Sequence, residues 1–257
     1  MDPLAEEMPY SSPYIYCSQN PVNRIDPDGK KDYNFDKDGN YTGVTNDNFW
    51  HNLFHGSRGS RVDGNGKQSY FEFASGKEDT NLIDKSKKED VHLFRLSANT
   101  IKGALAGAGV YRKENKENKV DFMLQEGVGG GSLDYGYNYL RDNFAGASQD
   151  PSKNPKPIFF LPEGEEYAHN QSNFGNFLIS ASAQAVGESL FAMRLGAHYN
   201  SKFNENGYKS GKQWDSSDDQ LSIQLGYSYG RRVLSNANIK VNVASGPKVG
   251  PHKPRKR

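Results

Sequence analysis

The chain has 257 residues, enough for one or two domains, with 34% hydrophobic residues and a formal net charge of +1. Its 15 Tyr and 14 Phe exclude a wholly disordered chain, which is poor in aromatic residues, while a mean hydropathy of −0.87 points to a modest core and abundant loops. No apolar run approaches the ~18 residues of a membrane helix, near-balanced charge argues against non-specific duplex binding through many phosphate contacts, and the sole cysteine, Cys17, excludes an intramolecular disulfide or a cysteine metal cluster.

Residues 1–30 read as an extended strap. Pro3, Pro9, Pro13, Pro21 and Pro27 remove backbone donors and forbid helix. Tyr10, Tyr14 and Tyr16 suit an amphipathic surface, and Asp26-Pro27-Asp28-Gly29 is turn chemistry. Asp2-Pro3-Leu4, Ser12-Pro13-Tyr14, Tyr16, Cys17, Asn20-Pro21-Val22 and Ile25–Gly29 resemble the closing motif of the Rhs-repeat core, in the version found in Bacteroidetes-type bacteria. The resemblance implies a parent β-strand shell, with a variable toxin following the motif. Related shells that cleave themselves carry Leu after the Gly; here Lys30 and Lys31 follow. Met1 is followed by Asp2-Pro3 rather than a basic and apolar leader, so export through a specialised system is expected.

Residues 31–150 are expected to form a β-rich connecting module. Asp32–Phe35 alternates, Asp38-Gly39 is a hairpin turn, and Tyr41 opens the return strand. Ser69–Phe73 and Val91–Leu96 read as further strands. Asp36–Asn40 lacks the later ligands of a calcium loop, so a turn is expected there. Ser97 caps a helix over 98–111, with Ile101, Ala104, Leu105 and Ala108 at helical spacing. Val120–Leu124 and Leu133–Leu140 read as strands. Gly127–Gly131 has no following Lys-Ser/Thr and reads as a connection, not a phosphate loop. A proline-punctuated loop over 146–157 closes the module.

Chemistry is expected in 151–240. Ile158–Pro162 is a short buried strand, and Tyr167–Phe177 places His169 and several amides at the mouth of a helix running to Val186. Helix N-termini favour oxyanions, although Asn173 as a simple cap and His169 as a packed residue explain the same pattern. Gly187 breaks the helix, and 188–200 forms a second one, on which Arg194 and His198 share a face. Ser216 and Asp219 form a loose capping box opening a third. Capping accounts for some of Asp215, Asp218 and Asp219; clustered carboxylates also serve as general bases or hold a divalent metal. Residues 241–257 read as a basic flexible tail, rich in Lys and Arg, of a kind that commonly binds nucleic acid.

Phe174-Gly175-Asn176-Phe177, Asp215–Gln220 and Gly226-Tyr227-Ser228-Tyr229-Gly230 are similar to the bacterial polymorphic toxin type 44 domain, a predicted ribonuclease family. The likeness spans 158–232, with Ser216-Ser217 where many relatives have Asp-Pro. The expected architecture is α+β, a β-rich module followed by a mostly α-helical toxin domain. The expected activity is RNA phosphodiester cleavage by an interbacterial effector, delivered into target cells and cytoplasmic when expressed alone. Catalytic roles fall to His169, Asp215, Asp219 and Gln220, and substrate binding to Asn173, Asn176, Tyr227 and Arg231. Arg231 or Arg232 would grip the phosphate. No cofactor is expected; a divalent ion on Asp215, Asp218 or Asp219 is the alternative. Expected partners are RNA, a cognate immunity protein and the parent Rhs shell. Two other readings stay open: a different hydrolase toxin acting on DNA, a nucleotide or the cell wall, and a non-enzymatic cassette remnant.

Overall fold

The computed structural model describes residues 31–45, 57–127, 129–203 and 216–235. The strap, Asp215 and the basic tail lie outside the described residues, as does the side chain of His198.

Seven strands form one mixed sheet in the order β2-β1-β3-β4-β7-β6-β5. β1 (Lys31–Phe35) and β2 (Tyr41–Thr45) make an antiparallel hairpin, as do β3 (Ser57–Val62) and β4 (Gln68–Phe73), and β1 runs parallel to β3. The two hairpins share a turn design. Asp36 Oδ1 accepts from the N–H groups of Asp38 and Asn40, and Asp63 Oδ1 from those of Asn65 and Lys67. The Asp36 carboxylate is thus spent on its own turn. Gly39, with φ 87°, packs so tightly on the β5 edge that an added Cβ would lie 2.0 Å from the Leu93 carbonyl oxygen.

β5 (His92–Leu96) pairs parallel with β6 (Ile158–Pro162), β6 antiparallel with β7 (Tyr167–Asn170), and β7 parallel with β4. Strands on either side of residue 150 therefore share one hydrogen-bonded sheet, and the loop over 146–157 is a connection within it. Every residue of β6 is buried, as its unbroken apolar run requires of a strand covered on both faces. Alternation sends Ile158 and Phe160 into one core cluster with Leu105, Phe174, Phe177 and Tyr229. It sends Phe159 and Leu161 into the other, with Tyr33, Phe71, Phe73 and Ile83.

The helices are α1 (Lys77–Asp84), α2 (Ala98–Gly107), α3 (Lys113–Glu117), α4 (Lys119–Glu126), α5 (Tyr139–Asn143), α6 (Gln171–Val186), α7 (Leu190–Phe203) and α8 (Ser217–Tyr229), the last followed by a π-turn over Gly230–Leu234. Several segments differ from their sequence reading, among them Lys113–Glu117, helical where a charged turn is expected, and Tyr167–Asn170, a strand leading into the helix. Residues 120–124 are helical: the alternation of Val120, Phe122 and Leu124 mimics a strand, but only Phe122 is buried, and the other two share an exposed helical face. Residues 133–138 form turns and 139–143 a short helix, because Asn138 and Leu140 bond locally to Asp134 and Tyr135. The helix opened by Ser97 stops at Gly107, and Gly109, at φ 82°, turns the chain.

α6 is the central helix. Its Phe174, Phe177, Leu178, Ala181 and Val186 sit in the core, and Gly187 ends it in the left-handed conformation. α8 lies beside it. An added Cβ on Gly226 would lie 2.0 Å from the Phe177 carbonyl oxygen, and one on Gly230 3.2 Å from that of Ala181. The Gly226–Gly230 motif is thus a packing seam that lets two backbones approach. Matching contacts rise together along both helices, from Asn173–Asp218 through Ser180–Ile223 to Ala181–Gly230. α6 and α8 therefore run parallel with both N-termini at one end. Among the described residues no helix is long and apolar enough to cross a membrane.

Candidate functional site

Strand alternation decides which residues reach that common end. β7 turns His169 inward and Asn170 outward. Asn170 caps α6, its Oδ1 accepting from the Asn173 N–H at 3.0 Å; the cap is Asn170, and Asn173 is left to use its side chain elsewhere. Ser216 caps α8, donating its hydroxyl to Asp219 Oδ2 at 2.6 Å and accepting weakly from the Asp219 N–H at 3.4 Å. Asn173 and Asn176, three apart, share one face of α6, and each meets a carboxylate of α8. Asn173 Nδ2 donates to Asp218 Oδ2 at 2.9 Å and Asn176 Nδ2 to Asp219 Oδ1 at 2.6 Å. Gln220, nearly buried, accepts from Arg194 Nε on α7 at 2.7 Å.

A third helix start joins from the sheet side. Ser75, in the turn between β4 and α1, donates to Asp218 Oδ2 at 2.9 Å and accepts from the side-chain amides of Asn173 and Asn170 at 2.6 and 3.1 Å. With both hydroxyl lone pairs engaged, Ser75 is a node of the network and not a nucleophile. Asp79 is 1% exposed and accepts from Asn170 Nδ2 at 2.8 Å and from the Ser75 N–H at 3.0 Å. Burial pushes its carboxyl up to about 6, with Asp218 and Glu78 adding to the rise against the hydrogen bonds from Asn170 and Ser75. At Asp218 burial also works upward, but hydrogen bonds from Asn173, Ser216 and Ser75 outweigh it and hold the carboxyl below its ordinary range. An open pocket of ≈ 340 Å³ lies against this side, lined by Ala74, Ser75, Glu78, Ser217, Asp218 and Leu221.

Asn173 and Asn176 therefore come together with Asp218 and Asp219, while Gln220, next along α8, turns to Arg194 on α7. His169 does not join them. It is fully buried against Phe174 and Phe177, with Nδ1 3.0 Å from Ser222 Oγ, one turn of α8 below Asp219. Burial drives its pKa down to about 3, so the imidazole is neutral. An acid–base role for it at an open cleft is replaced by a packing role behind the seam. Tyr227 donates its hydroxyl to the Glu188 carbonyl, tying α8 to the turn before α7. Arg231 is 12 residues beyond Asp219, which at 1.5 Å per residue puts it ~18 Å along the axis from the Asp219 end of α8. Arg232 is paired with Glu165.

Sequence reasoning passed over Ser75, Asp79 and Asn170. Asn170 carried only a weak signal, because Gln171, Ser172 and Asn173 stand between it and Phe174, and Asn173 reads as an equally good cap. Ser75 and Asp79, about 95 and 140 residues from their partners, carried none beyond a Ser and an Asp flanking a helix start. Compared with known protein families, curated proteins and solved structures, the chain matches none.

Proposed function

We propose that the chain is an interbacterial toxin whose 151–240 region cleaves RNA phosphodiester bonds at the mouth of α6 and α8. Two things support the reading: the resemblance of residues 1–30 and 158–232 to an Rhs closing motif and a type 44 toxin domain, and one structural observation. That observation is the Asn176–Asp219 pair at 2.6 Å, a half-exposed carboxylate fixed by an amide and a capping hydroxyl where two helix N-termini meet. A carboxylate so held is pre-aimed, and the free N–H groups of helix starts favour a phosphate beside it. Asp219 takes the proton of the ribose 2′-hydroxyl. The 2′-oxygen bonds to phosphorus, the bond to the 5′-oxygen breaks, and that oxygen leaves with a proton from water, giving a 2′,3′-cyclic phosphate end.

The purified 257-residue chain incubated with total RNA, with and without EDTA, tests the proposal. Fragments with cyclic phosphate ends are expected from the wild type and not from Asp219→Asn. Loss of cleavage in EDTA would shift the mechanism to a divalent ion on the Asp218 and Asp219 carboxylates. Intact RNA with a folded wild type refutes ribonuclease activity; cleavage of DNA or a nucleotide in the same assay would establish another hydrolase. A cognate immunity protein belongs to the same proposal and should abolish cleavage on binding.

A further inference from the structure

A phosphodiester at the Asp219 seam needs a cation to hold it, and the arginines first expected there are elsewhere: Arg231 is ~18 Å along the axis from the Asp219 end of α8, and Arg232 is neutralised by Glu165. The geometry points to Arg194 as the phosphate-binding side chain of this site. The inference rests on the RNA-cleavage reading and supplies the anion grip that it lacks.

Arg194 is exposed on the second turn of α7, antiparallel to α8. Its Nε–H is fixed at 2.7 Å on the side-chain oxygen of Gln220, the residue after Asp219. Gln220 is only 7% exposed, so the anchor is rigid and belongs to the core side of α8. The anchor is also neutral. Arg58, Arg141 and Arg232 are each bonded through the guanidinium to a carboxylate, which cancels their charge. Arg194 forms no ion pair among the described residues, so its charge stays available to an anion. A guanidinium held by Nε keeps both terminal nitrogens directed away from the anchor, the fork that binds two oxygens of one phosphate. Asp219, the residue before Gln220 on α8, is already engaged by Asn176 and Ser216. Neighbouring residues 219 and 220 thus divide the work, one presenting a carboxylate and the other orienting a cation.

Binding of a single-stranded RNA oligonucleotide with 2′-O-methyl riboses, which has no 2′-hydroxyl to attack with, isolates this contact from cleavage. Fluorescence anisotropy over a range of KCl gives affinity and its salt dependence. Arg194→Gln should weaken binding about tenfold and flatten the slope of log Kd against log salt by ~0.7, one phosphate on a single strand. Arg194→Lys should keep the slope and bind less tightly, because an ammonium cannot use the Gln220 anchor and fork together. Gln220→Glu, which gives Arg194 a carboxylate partner, should mimic Arg194→Gln. Arg231→Gln should match the wild type. If the wild type binds while Arg194→Gln binds equally well with the same slope, the inference about Arg194 is overturned and the site stands. If the folded wild type does not bind the oligonucleotide at all, the RNA reading itself falls and takes the inference with it.

Discussion

Replacing Asp79 with Asn should change how stability depends on pH more than stability itself. The carboxyl is 1% exposed, and burial raises it from 3.8 to about 6. An acid with a raised pKa in the folded state holds a proton there that the unfolded chain has already released. Its stabilising contribution is therefore complete below about pH 4 and is lost as pH rises through about 6. At 1.36 kcal/mol per unit, a rise of ~2 units corresponds to ~3 kcal/mol lost across that window. Asn fills the same volume, keeps an oxygen for the Ser75 N–H, and does not titrate, at the cost of about one hydrogen bond to Asn170, ~1 kcal/mol. The variant should thus be ~1 kcal/mol less stable than the wild type near pH 4 and ~2 kcal/mol more stable near pH 7. Urea unfolding of both proteins across this range gives the difference directly, since all other titrating groups cancel. A difference constant from about pH 4 to pH 7 would refute the reasoning, and would mean that the amide of Asn170 and the Ser75 N–H offset the burial of the charge fully.

Other substitutions test the frame around the site. Gly226→Ala forces a Cβ onto the Phe177 carbonyl and should cost ~1–3 kcal/mol or more while parting the Asn–Asp pairs; Gly103→Ala, with open space around it on α2, should instead stabilise by up to ~1 kcal/mol, both read from thermal unfolding. Asp32→Ala removes the carboxylate bonded at 2.6 Å to the buried Arg58 guanidinium and should destabilise by ~3–5 kcal/mol, whereas the joint change with Arg58→Met should recover most of that loss. Ser216→Ala should cost ~0.5–2 kcal/mol as a lost cap and also slow cleavage, because its hydroxyl holds Asp219 Oδ2; Asp219→Asn should abolish cleavage with little change in melting temperature. Full cleavage by folded Asp219→Asn would remove that carboxylate from the mechanism.

What the sequence made legible follows from how local each determinant is. The capping box of Ser216 and Asp219, the stop at Gly187 and the buried run Ile158–Pro162 are written in neighbouring residues, and each stands as read. Val120, Phe122 and Leu124 defeated the same reasoning, since a three-residue alternation fits a strand or two faces of a short helix equally well. At the site, Asp219 was marked by its capping-box spacing at one helix start, whereas Asn176, near another start, and Gln220 came from the resemblance to the type 44 domain. That two such starts should meet depends on α7 carrying the chain back, so that α6 and α8 run parallel and not as an antiparallel pair. His169 fell on the wrong side for a simple reason. One residue of shift along β7 exchanges core for seam, and the polar neighbours that drew attention to the imidazole belong to the face that Asn170 occupies. The same alternation gives Asn170 two duties, its oxygen capping α6 and its nitrogen holding Asp79 and Ser75. A change at Asn170 therefore releases the first turn of α6 and the Asp218 partner network together. The sheet, through one strand end, sets the position of the helix that carries Asn173 and Asn176.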